Sequence, residues 1–493
     1  MQKGLWACAV VVGLAASTGV HAQEDTKALK EEVESLRETV RALQARLDSV
    51  EAVQQHAQAS PATQGTPATT SKPTVAVSAP QPASSSGQAP WVAQNASASL
   101  GVQQSPLPSQ QSVSDNQTGA SRVDNRPPPN DPDLKGFIPI PGTETMIRIG
   151  GYAKLDAIYD THEAGDHEQF IPAAFPIGDP NINHSNFNMH ARQTRFSFEA
   201  RRPTDYGSLR FYLENDFFGG SNNAYQFHLR QAFGQIGNTY AGYGYSSFMD
   251  PDALPDTLDF AGPGGQMFLL QPGIHQAFEF GRGNSITLSA ERPESQIGVV
   301  DETRPISGTQ QVPDVVLAGR IERDWGHLQA SAVVRRLGYT QMGHGDYTMG
   351  GGIALAGAFT TVGQDLLMFS AAYGKGIARY LSDTSGSGLD AVVEDDGRLR
   401  ALKTWGSYAA YTHYWSEHWR SNLVYGVARM AANDYLATSA FRDSNYGAAN
   451  IIWSPAPTWT MGVEVLHGRL RQQDGSTAND TRVQGSLQYS FVK

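Results

Sequence analysis

Cysteine is nearly absent: the 493-residue chain has one, Cys8, so no intrachain disulfide can hold its fold together. Positive charge is also short, 37 Lys and Arg against 48 Asp and Glu, a net of -11 with no basic tract. That balance excludes a nucleic-acid binder, which needs clustered cations to displace counterions from phosphates. Beyond the N-terminus no apolar run reaches the roughly 18 residues of a membrane-crossing helix, which excludes a polytopic helical protein and leaves a membrane barrel open. Aromatic residues are missing from the first 135 positions apart from Trp6 and Trp91; the rest of the 20 Phe, 8 Trp and 19 Tyr follow. Two chemically different regions therefore stand in series.

The first 22 residues read as an export signal. Lys3 supplies the basic start, Leu5 to Leu14 an apolar stretch too short to span a bilayer, and Val20-His21-Ala22 a small-residue cleavage site. The mature chain is then expected to begin at Gln23, without Cys8. Leu29, Val33, Leu36, Val40, Leu43, Leu47 and Val50 are spaced alternately four and three apart, the seam of a coiled coil over 23–53. Glu32 would face Arg37 and Arg46 would face Glu51, as a parallel oligomer wants, and Val at a with Leu at d leans towards two strands. Residues 54–135 are rich in Ala, Ser, Thr, Gln and Pro, and between Glu51 and Asp115 only Lys72 is charged. Such a stretch buries too little apolar surface to offset the entropy of ordering, and reads as a disordered tether spanning roughly 50 Å.

Residues 136–493 alternate apolar and polar side chains in segments of about ten, the pattern of strands with one face in lipid and one in a polar lumen. Ile147, Ile149, Leu155, Ala157 and Tyr159 face one way, Arg148, Tyr152, Lys154 and Asp156 the other. Leu209, Phe211 and Leu213 oppose Arg210, Tyr212, Glu214 and Asp216; near the end Val483, Leu487, Tyr489 and Phe491 oppose Arg482, Gln484, Ser486, Gln488 and Ser490. Turn-forming links recur at 202–205, 281–284, 323–326, 362–365, 415–419 and 454–457. Longer links lie near 160–190, 249–272, 293–312, 338–347, 378–400 and 471–479. Long and short links in alternation describe an outer-membrane barrel with loops outside and turns in the periplasm. Trp325, Trp415, Trp419, Trp453 and Trp459 fall on the short-turn side, as an interfacial aromatic girdle requires. The length predicts an all-β, transmembrane antiparallel β-barrel of about 16 strands, with 12 or 18 also compatible, and both termini in the periplasm.

Gly150-Gly151-Tyr152-Ala153-Lys154-Leu155, His228-Leu229-Arg230-Gln231-Ala232-Phe233 and Phe248-Met249-Asp250-Pro251-Asp252-Ala253-Leu254-Pro255-Asp256 make the chain resemble the DcaP-like porins. The last motif is the most specific, because strand alternation does not demand it. The resemblance covers nearly the whole mature chain. It implies a homotrimer of 16-stranded barrels with a periplasmic coiled coil, taking up small organic anions such as dicarboxylates. Trimeric assembly departs from the two-strand leaning of the seam, so barrel packing would have to set the stoichiometry.

Strand parity places ten basic groups in the lumen, Arg148, Lys154, Arg195, Arg201, Arg210, Arg230, Arg320, Arg335, Arg420 and Arg482. It also places nine acids there: Asp156, Glu199, Glu214, Asp216, Glu279, Glu291, Asp314, Glu322 and Glu464. The balance favours neither sign overall, but in the first four strands Arg148, Lys154, Arg195, Arg201, Arg210 and Arg230 form a basic wall suited to carboxylates. The alternative is that these charges pair across strands and only keep the lumen wet. The loop from about Met249 to Gln271 is the expected constriction. Its Asp250, Asp252, Asp256 and Asp259 would either set a transverse field against the basic wall or cap turns and pair with wall arginines. A second acidic loop, 378–400, carries Asp383, Asp390, Glu394, Asp395 and Asp396 and reads as solvated, with divalent-cation binding as the alternative.

No catalytic reading competes. An outer-membrane lipase needs a His and a Ser held together on the barrel surface, and His184-Ser185-Asn186 sits in a loop without a following strand signal. His162, His167, His184 and His190 lack metal-ligand spacing, so neither metal nor cofactor is expected. The sequence thus describes an outer-membrane porin for passive diffusion of small hydrophilic solutes. Its expected partners are outer-membrane lipid, copies of itself and small anionic solutes. The remaining alternatives are a general or cation-preferring porin, and a structural barrel whose periplasmic coil tethers the membrane to the cell wall.

Overall fold

The computed structural model describes residues 136–178, 184–219, 225–281, 283–298, 306–341 and 343–491. The export signal, the heptad segment and the tether lie outside the described residues. Period-two alternation becomes sixteen antiparallel strands: β1 (Met146–Asp160), β2 (Arg195–Thr204), β3 (Gly207–Gly219), β4 (Gln226–Ile236), β5 (Thr239–Tyr245), β6 (Leu270–Phe280), β7 (Asn284–Glu291) and β8 (Asp314–Arg323). They continue as β9 (Gly326–Gln341), β10 (His344–Thr360), β11 (Leu366–Lys375), β12 (Lys403–Tyr414), β13 (Trp419–Met430), β14 (Phe441–Ala456), β15 (Trp459–Gln472) and β16 (Thr477–Ser490).

Each strand pairs with its sequence neighbours, and β1 closes the sheet on itself. Its first half pairs with β2 from Met146↔Arg201 to Tyr152↔Arg195, and its second half with β16 from Tyr152↔Ser490 to Asp160↔Arg482. The segment Asn186–His190 continues the β2 side of β1 beyond a break at 191–194. Gly151 sits at that break with φ +135°, and a Cβ there would lie 2.1 Å from the Arg195 carbonyl oxygen. Only glycine tolerates this approach, and it brings β2 close enough to deliver Arg195 to the lumen.

Large apolar side chains point outward and stay exposed on every side of the barrel, among them Ile149, Leu213, Ile274, Leu317, Ile353, Leu423 and Val465. A surface this apolar has no place in water and marks a membrane-facing wall. All five tryptophans named above are exposed at the short-turn end, where Trp419 stacks on Trp453 at 5.6 Å. The inward positions carry the polar groups: of the nineteen charges assigned there by parity, only Glu279 is exposed.

The links differ from expectation in five places. β9 runs to Gln341 and β10 begins at His344, strands of 16 and 17 residues paired to their ends, so 338–341 and 344–347 are strand and not loop. The 471–479 link shrinks to 473–476 for the same reason. The connections at 220–225 and 431–440 and the two-residue turn Gly237-Asn238 were not marked by composition; the glycine, at φ +52°, suits a hairpin turn.

Candidate solute path through the barrel

The loop 246–269 leaves β5 and folds into the lumen, where inward polar side chains bind its backbone. Ser331 and Gln329 of β9 donate to the carbonyls of Phe248 and Met249 at 2.7 and 2.8 Å. Tyr408 of β12 donates to Ala253 and Asn450 of β14 to Asp256, both at 2.9 Å. The Glu464 carboxylate of β15 accepts from the amides of Leu258 and Asp259 at 3.1 and 2.9 Å. Lys154 of β1 and Gln484 of β16 then donate to the Leu258 carbonyl at 2.7 and 2.9 Å. The loop returns through Gly264 and Gly265, which lie directly on β12 and β13: a Cβ on Gly426 would be 2.1 Å from the Gly264 oxygen, and one on Gly265 2.0 Å from the Val427 oxygen. Glycine on both sides permits this backbone-to-backbone seating.

The loop after β11 also enters the lumen, contrary to its solvated reading. Arg379, Tyr380, Asp383 and Asp390 are buried. Arg335 of β9 binds Asp314 at 2.8 Å and Asp390 at 3.1 Å, and Tyr380 donates to Asp314 at 2.9 Å. Asp383 accepts from Gly265 N at 2.6 Å and from Ser444 at 2.5 Å, which joins the two loops to β14. Burial pushes the Asp383 carboxyl above its ordinary value. Only the tip stays in water: Asp395 and Asp396 are exposed and Glu394 pairs with Arg400. Above it, Ile297–Gly298, Ala391–Val393 and Leu399–Ala401 form a small three-stranded sheet. The sequence held no signal for this infolding beyond the buried parity of Arg335 and Asp314.

The wall of β1 to β4 carries its charges in two tiers. At the turn end Glu199 is shared by three guanidinium groups: Arg148 Nη2, Arg201 Nε and Arg210 Nε each lie 2.7 Å from its oxygens. The Arg148 side chain is the most open of the four at 11%. At the loop end Arg230 binds Glu214 at 3.2 Å and Asp216 at 3.0 Å, and Arg195 lies 3.6 Å from Glu214 above the ring of Tyr152. The formal balance of that tier is zero, but the three buried Arg195 nitrogens and Arg230 Nη2 find no hydrogen-bond acceptor among the described residues. Phe260 is the loop side chain that meets this tier, stacked on Phe218 at 4.0 Å with the Arg230 guanidinium 5.4 Å from its ring. Lys154 is buried and committed to Leu258, Gln193 at 2.6 Å and Asp156 at 3.2 Å, so it holds the constriction loop.

The loop aspartates face away from that wall. Asp250 caps its own turn through Asp252 N and pairs with Arg320 at 2.9 Å and His327 at 2.8 Å. Burial opposes its ionisation, but Arg320 and His327 bring its carboxyl below the usual range. Asp252 and Glu322 also bind Arg320, each at 2.6 Å. Asp256 pairs with Arg420 at 2.7 Å. Asp259 accepts backbone amides, from Phe170 at 3.0 Å and Gly262 at 3.1 Å. β8 and β9, which carry the Arg320 cluster, stand half the circumference away from β1 and β2. Parity missed two inward acids: Asp160, 2.6 Å from Arg482, and Asp480, which accepts from Thr161 and from the amide of His162.

A closed barrel with an apolar outer wall, an infolded loop and a charged lumen is the architecture of a porin. The chain belongs to the porin subfamily, whose match spans residues 135–470. It is similar in structure to the outer-membrane channel DcaP of Acinetobacter baumannii, at 22% identity and a TM-score of 0.61 over 70% of this chain and 97% of that one. It is also similar to an anion-selective porin from Comamonas acidovorans, at 13% identity and a TM-score of 0.50 over 71% of this chain and 100% of that one. No protein of curated function matches the chain. Family and fold together make it an outer-membrane porin and bear out the likeness to DcaP-like channels drawn from the sequence.

Proposed function

We propose that the protein is a passive diffusion channel that mildly prefers anions, with small dicarboxylates among its solutes. The carrying observation is the turn-end tier, where Arg148, Arg201 and Arg210 gather on the inward face around Glu199. The constriction loop draws most of its backbone partners from β9 to β16, so a solute passes along the turn-end arginines of β1 to β3, while the acids around Arg320 lie beside the constriction loop. Planar guanidinium groups recognise carboxylates in two-point fashion, and a narrow low-dielectric path strengthens their field. The fold's likeness to a porin described as anion-selective is compatible with this reading.

The rest of the reading follows the sequence: loops to the outside, turns and both termini in the periplasm, three copies assembled, and the heptad segment and tether below the membrane. Uptake separates the candidate solutes. Liposomes carrying the full-length protein should take up succinate faster than a diamine of equal length, and the difference should shrink in high salt as the wall is screened. Equal or reversed rates contradict the anion preference.

A further inference from the structure

The outer wall carries a feature unrelated to conduction. Between β8 and β12 the membrane-facing surface is hollowed into a groove of about 1100 Å³. Its floor includes Gly319, Ala330 and Ala371, at one height on β8, β9 and β11 with Leu355 of β10 between the last two, and its upper edge is Ile353, Tyr373 and Trp405, one register step nearer the loop end. Here the apolar outer surface is recessed.

Directly above that edge the charge pattern is anomalous. Lys375 and Lys403 are direct cross-strand partners, one pleat repeat beyond Tyr373 and Trp405, and Arg429 is the cross-strand partner of Trp405. All three are exposed on the outward face, and none has a hydrogen bond or ion pair among the described residues. The neighbouring carboxylate, Asp443, is held by Arg471. Like charges placed directly opposite destabilise a sheet unless an anion lies between them. A row of cations above aromatic side chains is also where a membrane protein meets lipid headgroups.

We infer that this face binds a phosphorylated, acylated lipid of the leaflet at the loop end, with its phosphate on Lys375, Lys403 and Arg429 and an acyl chain in the groove below. Charge complementarity selects an anionic headgroup, and the apolar recess immediately beneath selects a molecule whose tail hangs from that headgroup. Phosphate offers several strong acceptor oxygens to cations on adjacent strands.

The test uses the full-length protein in detergent, titrated with bis-phosphorylated lipid A and followed by native mass spectrometry. The wild type should retain one lipid per chain. Lys375→Glu with Lys403→Glu should weaken retention about tenfold, and Ala371→Trp, which fills the groove and leaves every charge in place, should weaken it comparably. Dephosphorylated lipid A should bind the wild type no better than the charge-reversed protein does. All these residues lie outside the lumen, so unchanged single-channel conductance certifies each variant as folded. Retention unchanged in either variant overturns the proposal. So does full competition by inorganic phosphate alone, which makes the tail irrelevant, or disulfide capture between copies through Ala371→Cys, which makes the face a contact between barrels.

Discussion

Glu199 shows how single residues set the lumen's character. It is buried, and three arginines approach it to 2.7 Å, so its charge is compensated. A buried carboxylate without such partners is strongly disfavoured, and the same carboxylate keeps three guanidinium groups from repelling one another. Arg148→Ala should lower the anion-to-cation permeability ratio by roughly two- to threefold at low salt, the effect of one unit charge in a wet lumen. Glu199→Gln should move the ratio the other way and cost about 3 kcal/mol of barrel stability, as expected when a buried ion network loses a member. Reversal potentials and thermal unfolding in detergent read the two effects separately. Parity alone put Arg148, Glu199, Arg201 and Arg210 on one face. That all three cations converge on one carboxylate was not legible, because it depends on the register that sets Arg148 opposite Glu199 and Arg201 opposite Arg210.

Among elements, the constriction loop has the most to say about dynamics. Its length and its Asp-Pro-Asp run marked it in the sequence, but its course did not follow from composition, because the partners of its backbone come from six strands. The infolding of the 376–402 segment was hidden for a related reason: its acids, which read as solvent-loving, are matched by Arg335 and by backbone amides. Asp259 gives the constriction loop a pH dependence. Burial raises its carboxyl from 3.8 to about 7, with Glu464 adding to the rise and Arg482 opposing it. A carboxyl whose value is raised on folding binds more protons in the seated loop than in the released one, so the seating is favoured below the ordinary value and loses that contribution as pH rises through about 7. Amides of 258–262 should therefore exchange several-fold faster at about pH 8 than at about pH 5 after correction for intrinsic rates, and Asp259→Asn should remove most of the difference. Equal protection across that range would mean that Asp259 does not control the loop.

At the scale of the molecule, the barrel itself was the most legible feature. Lipid outside and water inside impose alternation on every strand, and short turns with tryptophans mark one end, so the barrel architecture could be read from period and spacing, while length gave the strand number only as about 16, with 12 or 18 compatible. The course of the loops that fold back through the lumen could not be read that way. The turn-end wall of β1 to β3 gathers three arginines around one carboxylate, although the charges assigned to the whole lumen nearly cancel. The central claim is therefore about sign, and the most direct measurement is the reversal potential of the purified protein in a planar bilayer under a KCl gradient. The arrangement of charge predicts the sign of a channel more permeable to chloride than to potassium. A cation-selective sign would contradict it.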